Sequence, residues 1–427
     1  MNLIDKFEID GFWDTHQVKA QLHRDVTFFI GPNGTGKTTL INLLAAALTG
    51  DFLTLNKIPF KKITISLVPE EPKKFSPSIT VSKTRKKDST VDNLDYLIKK
   101  GPSTEFKFSM EEIDEVIVRR AELQRRYLHD YYRKLHSGLG PVLGELVQVQ
   151  WLSVHRTTTL DNSREERPYE SSVDRKLESL SNELVRYFAT FSNQKDEKVR
   201  QFQEYIFSSL LEQTNLSQLF DEKTIDRIDR NQMTMVEIFK ELHVSSSQLD
   251  HQITSFFARA STIVQNYVIK RSGIPLHDVG ILIGLRRIEG VIDQWRLLQM
   301  QLNEIFAQRD RFVDINNSLL LRKKMEINDS NELVFVSRTG KVLTPQMLSS
   351  GEKQLLILLS EVLLQKQTPS VLITDEPELS LHVSWQEKLV GSLRSLNSRV
   401  QIIAATHSPD IVGPLFDRAI DMESIIP

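Results

Sequence analysis

A glycine-rich segment near the start of the chain has the residue types and the spacing that suit phosphate binding. Gly31–Thr39 reads GPNGTGKTT and fits the pattern G-x-x-x-x-G-K-[ST]. It stands between an apolar, strand-like stretch, Val26–Ile30, and a helix-like one, Leu40–Leu48. Glycines let successive backbone N–H groups turn toward the phosphates, and the helix that follows adds the positive end of its dipole. The segment therefore predicts a phosphate-binding loop for a nucleoside triphosphate.

Two side chains of this loop have distinct chemical roles. The Lys37 ammonium is expected to hold the β- and γ-phosphates, and the Thr38 hydroxyl is expected to coordinate the Mg²⁺ that accompanies a triphosphate. The residues expected to contact the nucleotide in this loop are Gly31, Asn33, Gly34, Thr35, Gly36, Lys37, Thr38 and Thr39.

Two adjacent carboxylates end a second apolar stretch, far along the chain. Ser370–Pro377 reads SVLITDEP, a short strand that ends in Asp375 and Glu376 in the Walker B pattern. Neighbouring side chains on a strand face opposite ways, so Asp375 can face the metal ion while Glu376 turns toward a water in line with the γ-phosphate. The first would hold Mg²⁺ through its water shell, and the second would act as general base. Alone, such a strand end is also typical of a plain turn; the phosphate loop favours the catalytic interpretation.

Two further segments flank these carboxylates. Leu348–Gln354 reads LSSGEKQ and precedes the apolar run Leu355–Leu364, whose period is close to that of a helix. As local structure, this is an N-cap by Ser349 or Ser350 followed by a helix. Ala405–Pro409, the histidine segment, reads ATHSP and follows another strand-like stretch.

In this order, the phosphate loop, the LSSGE segment, the DEP strand end and the THS segment resemble the ATP-binding-cassette (ABC) ATPases. Three of these motifs are similar to the variants found in the RecF, OLD and SMC group: SGEKQ, EPE with a following LH, and THSP. The resemblance implies ATP and Mg²⁺ as cofactors, and it implies that Ser349 and Gly351 contact the γ-phosphate bound by a second head. Two copies would then enclose two ATP molecules in a homodimer or higher homo-oligomer. His407 is similar to the switch histidine that contacts the γ-phosphate, and it joins Glu376 as an expected catalytic residue.

Two parts of the expected site stay open. In this group a further strand ends in a glutamine or arginine sensor, and Gln148, Gln150 or Arg156 would suit that role. Either glutamine is equally consistent with plain polarity on one face of a strand. An aromatic ring at Phe12 or Trp13 would suit stacking on adenine, although aromatic residues beside a first strand are more often part of the core.

The sequence predicts an α/β fold, in which a P-loop ABC-type ATPase head with a mixed sheet carries an inserted helical arm region. Residues 1–160 would form the N-terminal lobe of the head, residues 161–331 the helical arms, and residues 332–427 the C-terminal lobe. The last arm helix has an apolar stripe at three- and four-residue steps. The stripe consists of Leu285, Ile288, Ile292, Trp295, Leu298, Leu302, Ile305 and Phe312.

Local patterns predict three other elements. The capping box Ser109–Glu112 would begin a helix that runs to Leu135. Ile63–Leu67 and Ile79–Thr84 would form an antiparallel hairpin surrounded by lysines and arginines, which would either contact DNA phosphates or form a solvated face. Leu333–Leu343 would form another hairpin.

Composition excludes several classes of protein. Of 427 residues, 54 are Lys or Arg and 56 are Asp or Glu, so the formal net charge of −2 gives no global field toward nucleic acid or an anionic membrane. The absence of cysteine excludes disulfides and thiolate metal sites and agrees with a reducing compartment. No apolar run in the sequence is long enough to cross a bilayer. We therefore expect a cytoplasmic protein with no membrane contact.

The family resemblance also suggests what the ATPase controls. OLD-like nucleases carry a TOPRIM domain after the histidine segment, whereas Asp410–Pro427 are expected to supply only a closing strand. The chain thus resembles the stand-alone ATPase subunits of antiphage defence systems, AriA of PARIS and PtuA of Septu. We expect an ATPase that controls a separate effector, such as a nuclease, and has no nuclease activity in cis. The alternative is a DNA-repair or chromosome-maintenance ATPase of RecF or SMC type that binds DNA directly.

Overall fold

Strands and helices are both abundant in the computed structural model, which describes residues 1–70, 75–84, 93–110, 138–153, 172–211, 223–241, 246–266 and 275–426. The strands are β1 (Asn2–Phe12), β2 (His16–Gln21), β3 (Val26–Ile30), β4 (Lys62–Pro69), β5 (Ser78–Thr84), β6 (Asn93–Gly101), β7 (Thr104–Met110), β8 (Val149–Ser153), β9 (Lys323–Ile327), β10 (Leu333–Ser337), β11 (Val342–Leu343), β12 (Ser370–Asp375), β13 (Val400–Ala405) and β14 (Ala419–Asp421). The helices are α1 (Lys37–Thr49), α2 (Phe52–Lys57), α3 (Ser172–Ser209), α4 (Lys223–Glu241), α5 (Ser247–Val264), α6 (Leu276–Leu319), α7 (Ser350–Leu364), α8 (Val383–Leu396), α9 (Pro409–Val412) and α10 (Met422–Ile425). A further helical stretch covers residues 138–146. The predicted α/β class is confirmed.

A parallel sheet with the strand order β14-β3-β13-β12-β8 forms the centre of the fold. Every residue of β12 and β13 is buried, as expected for strands of a parallel sheet that is covered on both faces. Helix α1 follows β3 and is buried along most of its length, including Leu40, Leu43 and Leu44. Because all these strands run in one direction, their carboxyl ends meet at one edge of the sheet, where ligands bind in open α/β sheets.

An antiparallel sheet with the order β2-β1-β4-β5-β6-β7 lies beside this core. The predicted hairpin is confirmed, because β4 pairs with β5 and Ile63 lies opposite Val81. Alternate residues of β4 are buried, so one face of the sheet packs on the core and the other does not. A smaller sheet, β11-β10-β9, contains the second predicted hairpin. Parallel and antiparallel strands therefore occupy separate sheets.

The helix predicted from the capping box at Ser109 does not begin there. Ser109 lies in β7, opposite Asp95 of β6, and its hydroxyl donates to the Asp95 carboxylate. The serine therefore serves a cross-strand contact, because its position in the sheet places an acceptor directly opposite. The remainder of that predicted helix, through Leu135, lies outside the described residues.

The contacts divide the chain into two compact units, Met1–Arg186 with Arg311–Pro427, and Tyr187–Asp310. The second unit is helical and contains two apolar clusters, and the stripe predicted on α6 supplies buried residues to both. This unit begins within α3 and ends within α6, so it is shorter than the segment 161–331 expected from sequence. In the part of the chain that is described, no helix combines the length and apolarity needed to span a membrane.

Candidate functional site

Three strand ends bring the predicted site residues to one edge of the parallel sheet. β3 leads into the phosphate loop, β12 ends at Asp375, and β13 leads into the histidine segment. Asp375 pairs with Ala405 across β12 and β13, and Ala405 pairs with Phe29 across β13 and β3. Two backbone bonds extend this register beyond the strands: Glu376 N–H donates to Ala405 O at 2.9 Å, and Thr406 N–H donates to Phe29 O at 3.2 Å.

The phosphate loop depends on glycine at three positions. Gly31, Gly34 and Gly36 have φ values of 143°, 87° and 90°, which side-chain-bearing residues rarely adopt. Gly36 is also the N-cap of α1, and a Cβ there would lie 2.7 Å from the ring of Trp13. The loop is closed by the Thr35 hydroxyl, which donates to the Pro32 carbonyl at 2.9 Å. A turn with these glycines is able to direct backbone N–H groups at a phosphate.

The Lys37 ammonium is held within this loop. Its Nζ donates to the carbonyl oxygens of Gly31 at 2.8 Å and Pro32 at 2.9 Å. Burial lowers the pKa of Lys37, and the negative charges of Glu376, Asp375 and Glu378 partly oppose that shift. The lysine therefore lies in a field of three carboxylates, with neutral carbonyls as its direct partners.

Thr38 and Asp375 meet as the sequence predicts. The Thr38 hydroxyl donates to Asp375 Oδ1 at 3.1 Å, although the two residues are 337 positions apart in the chain. A hydroxyl beside a carboxylate is the oxygen-only donor set that Mg²⁺ prefers, so these two residues fit the expected ion. When bound, Mg²⁺ would neutralise part of the triphosphate charge.

Glu376, the expected general base, has a constrained backbone. Its φ of 47° lies in the left-handed region, which costs a residue with a side chain about 1–2 kcal/mol. The bond from its N–H to Ala405 O holds the backbone in this conformation. The carboxylate therefore projects from a fixed point directly after Asp375, and such backbone outliers are frequent at active sites.

The LSSGE segment, Leu348–Glu352, is the signature segment and forms a complete capping box at the start of α7. Ser349 is the N-cap; its N–H and its hydroxyl both donate to Glu352 Oε2 at 2.8 Å. Lys323 on β9 donates to both oxygens of that carboxylate. Burial would raise the pKa of Glu352, but the hydrogen bonds from Lys323 and Ser349 outweigh it and hold the pKa below its ordinary value. Ser349 itself remains exposed.

Gly351 lies against the segment that follows the Walker B residues. A Cβ at Gly351 would stand 2.3 Å from the backbone oxygen of Ser380, so no other residue fits without movement. Ser380 itself has a φ of 68°. Sequence reasoning gave Ser380 no role, and the structure shows that its backbone is packed against the signature glycine.

The histidine segment is anchored by Glu378, a residue to which sequence reasoning assigned no role. Its Oε1 accepts from the Thr406 hydroxyl, the His407 N–H and the Ser408 N–H. His407 is exposed beyond the end of β13. The sequence offers one clue to this contact, the second acid of the EPE motif.

The direction of β8 decides whether either of the two candidate sensor glutamines lies near Asp375. Gln148 lies before β8, where its backbone oxygen accepts from Val371 N–H and its side chain accepts from the Thr368 hydroxyl. It is therefore at the opposite end of the sheet from Asp375, and the structure excludes it from the site. Gln150 lies within the strand opposite Leu372, also short of the site edge. Arg156 lies outside the described residues.

The two aromatic residues after the first strand have different surroundings. Phe12 is fully buried in the core, while Trp13 is 37% exposed and stacks on Phe12 with ring centroids 4.9 Å apart. The Trp13 ring also lies against Gly36 of the phosphate loop. Only Trp13 therefore combines an exposed ring with a place beside the loop.

The site is that of a P-loop ATP hydrolase of the ABC type. This class is defined by a phosphate loop on a parallel sheet, a Walker B Asp-Glu pair, and a histidine segment beyond the adjacent strand. The chain belongs to the family described as "AAA domain, putative AbiEii toxin, Type IV TA system", whose profile matches residues 189–413. The profile of a second family, "ATPase family associated with various cellular activities (AAA)", matches residues 27–130, which include the phosphate loop.

Similarity to individual proteins is more limited. The Retron Ec83 probable ATPase of Escherichia coli is 29% identical over 89 residues, which cover 18% of this chain and 16% of that relative's length. The Smc head domain with an extended coiled coil from Pyrococcus furiosus, bound to the C-terminal domain of ScpA, has 13% identity and a TM-score of 0.41, covering 99% of this chain and 94% of that one. The Smc head domain with a coiled coil and joint from Pyrococcus yayanosii has 11% identity and a TM-score of 0.38, covering 96% and 93%.

Proposed function

We propose that two copies of this chain enclose two ATP molecules, each bound by the phosphate loop of one copy and completed by Ser349 and Gly351 of the other. The observation that carries the ATP site is the contact between Thr38 and Asp375, which joins the two nucleotide-binding motifs. The composite arrangement is supported by the exposed Ser349 at the start of α7, where the helix dipole favours a phosphate.

The residues divide the work of hydrolysis. Lys37 exchanges the neutral carbonyls of Gly31 and Pro32 for phosphate oxygens, because anionic acceptors form stronger hydrogen bonds with an ammonium. Thr38 and Asp375 would hold Mg²⁺, which would supply positive charge against the triphosphate. Glu376 takes a proton from the attacking water. His407 of the same copy and Ser349 of the other contact the γ-phosphate.

The test of the composite site is ATP-dependent association. Glu376→Gln should retain bound ATP and dimerise, as measured by light scattering after gel filtration. Adding Ser349→Arg to this variant should keep it monomeric, because the new charge and bulk face the γ-phosphate. Ser398→Arg is a matched control, since Ser398 is exposed and precedes β13 at the opposite end of the strand. Equal dimerisation of both arginine variants would contradict the proposal.

We further propose that nucleotide state controls a separate effector protein, with the helical unit Tyr187–Asp310 as its docking region. Large apolar side chains of this unit are exposed, among them Phe207 at 69% and Leu211 at 87%, and exposed apolar groups mark interaction sites when they cluster. The relative from retron Ec83 supports a role in defence. If co-expression with the products of neighbouring genes yields a stable complex, Phe207→Asp should release the bound protein while leaving ATP turnover intact, and a complex unaffected by this change would contradict docking at this surface.

This proposal assigns nucleic-acid cleavage to the effector. Purified protein should hydrolyse ATP yet leave plasmid, single-stranded DNA and RNA intact with Mg²⁺ or Mn²⁺. The acidic pairs Glu165-Glu166 and Asp221-Glu222 are expected to be solvated surface, and both lie outside the described residues. Cleavage that disappears on mutation of a carboxylate other than Asp375 or Glu376 would contradict the assignment.

Two of the described basic residues around the hairpin of β4 and β5 make contacts within the fold. Lys83 at the end of β5 donates to the carbonyl oxygens of Asn56 and Ile58 and lies over the ring of Phe60. This lysine is therefore engaged within the fold. The stem of Lys61 lies against Gly11.

A further inference from the structure

Glu378 connects the Walker B segment to the histidine segment through a single oxygen. Its Oε1 lies 2.8 Å from the Thr406 hydroxyl, 2.7 Å from the His407 N–H nitrogen and 3.2 Å from the Ser408 N–H nitrogen. A carboxylate only accepts hydrogen bonds, and its charge strengthens each of them. One side chain therefore fixes the backbone on both sides of His407.

The other oxygen of Glu378 has different surroundings. Oε2 is buried and accepts no hydrogen bond from the described residues. A buried carboxylate oxygen without a donor is unfavourable. The charge of Glu378 also raises the pKa of Lys37 in the phosphate loop, together with the charges of Glu376 and Asp375, against the larger lowering caused by burial.

A second side chain makes a parallel connection. Gln386 on α8 donates to the Leu381 carbonyl at 2.9 Å and accepts from the Ser408 hydroxyl at 2.6 Å. The histidine segment is thus joined at two places to residues 378–381. Within those residues the Ser380 carbonyl lies against Gly351 of the signature.

We propose that Glu378 is a positioning residue that holds His407 against the γ-phosphate and links its position to the backbone that supports Gly351. This inference rests on the proposed function, in which His407 contacts the γ-phosphate of its own copy. Through Glu378, the nucleotide bound in one copy would set the position of the signature that the same copy offers to its partner. The role requires the three hydrogen bonds of Oε1 and no direct contact with ATP.

A double-mutant cycle tests the link. Glu378→Ala and His407→Ala should each lower turnover by about 100-fold, the usual cost of misplacing a transition-state contact. Each should also reduce the preference for ATP over ADP, since only ATP has the γ-phosphate. The double variant should be no slower than His407→Ala alone. For two independent residues the activation free energies would add, so the two rate losses would multiply, to within about twofold. Glu378→Gln keeps an oxygen for the three donors and should restore most of the turnover.

Gln401 on β13, the strand that leads into the histidine segment, offers a matched structural control. It is fully buried at the start of β13, and its side chain makes three hydrogen bonds, with Ile4 N–H, Ile4 O and His23 O. Gln401→Ala should lower thermal stability without changing the preference for ATP over ADP. Should Glu378→Ala fail to fold, Thr406→Val removes one donor to Oε1 together with one acceptor of the Ser408 N–H. It should give a smaller loss that vanishes in the His407→Ala background.

The outcomes separate two failures. If His407→Ala retains wild-type turnover and nucleotide preference, the γ-phosphate contact in the proposed function is wrong. If His407→Ala shows the expected loss but Glu378→Ala adds its full loss to it, His407 keeps its role and the link through Glu378 is wrong. A Glu378→Gln variant as slow as Glu378→Ala would overturn the hydrogen-bond account.

Discussion

Replacing the signature glycine tests how the signature is supported within one copy. In Gly351→Ala the new Cβ would lie 2.3 Å from the Ser380 carbonyl oxygen, and contacts below 3.0 Å essentially never occur for real Cβ atoms. The two segments must therefore separate by about 0.7 Å or more, and overpacking of this kind costs roughly 1–3 kcal/mol of stability. A shift approaching 1 Å at a group that contacts a transferring phosphate costs about 100-fold in rate.

The assay compares this variant with a glycine that has free space around it. A Cβ at Gly391 on α8 would meet no atom within 4 Å, so Gly391→Ala should fold normally and gain about 0.5–1 kcal/mol from lower chain entropy. We expect Gly351→Ala to bind ATP at its own phosphate loop, to melt at a lower temperature, and to lose at least about tenfold in ATP turnover. Turnover within twofold of Gly391→Ala, measured with both variants folded, would refute the steric argument.

Three further predictions concern the nucleotide site and its supports. Lys37→Ala should abolish nucleotide binding, whereas Glu376→Gln should keep binding and lose about 10²–10⁴-fold in turnover. Binding and single-turnover assays measure the two effects separately. Near-normal turnover of Glu376→Gln would show that Glu376 is not the general base. If the exposed Trp13 ring stacks on adenine, Trp13→Ala should weaken the binding of ATP and of ADP alike by about 1–3 kcal/mol, as measured by titration calorimetry. Trp13→Phe should recover most of that binding free energy. Unchanged affinity would assign Trp13 to loop packing. The pKa of Glu352 lies below its ordinary value of 4.5, so the stability contributed by its charge is present above pH 4.5 and is lost as the pH falls through the lowered pKa. The melting temperatures of wild type and Glu352→Gln should therefore converge in acid. A constant difference between them would contradict the role of the Glu352 charge.

Sequence alone could predict the residues whose roles depend on local spacing. Lys37 and Thr38 follow from the loop pattern, and Asp375 follows from its position at the end of a buried strand. Their meeting needs only parallel strands whose carboxyl ends share an edge, and the contact between Thr38 and Asp375 confirms that arrangement. The helix after the signature was similarly evident, because Ser349 and Glu352 have the spacing of a capping box.

The remaining features depend on contacts between distant segments. Glu378 and the histidine segment are about 30 positions apart, and no local pattern shows that one carboxylate oxygen serves three donors there. The same applies to Gly351, whose neighbour is a carbonyl on another segment. Ser109 looked like a helix cap because its neighbours in sequence permit one, but its partner across the sheet determined the outcome. Excluding Gln148 required the strand direction, which places it at the wrong end of β8.

The most direct test of the composite site is a mixing experiment with two inactive variants. Lys37→Ala lacks the phosphate-loop lysine and Ser349→Arg blocks the signature, so every site in either homodimer is broken. A mixed dimer has one doubly broken site and one site with an intact Lys37 and an intact Ser349. Equal mixing should therefore restore up to about a quarter of the wild-type ATP turnover, because half of the dimers are mixed and half of their sites are intact. No recovery on mixing, with both variants folded and exchanging subunits, would contradict completion of each site by the second copy.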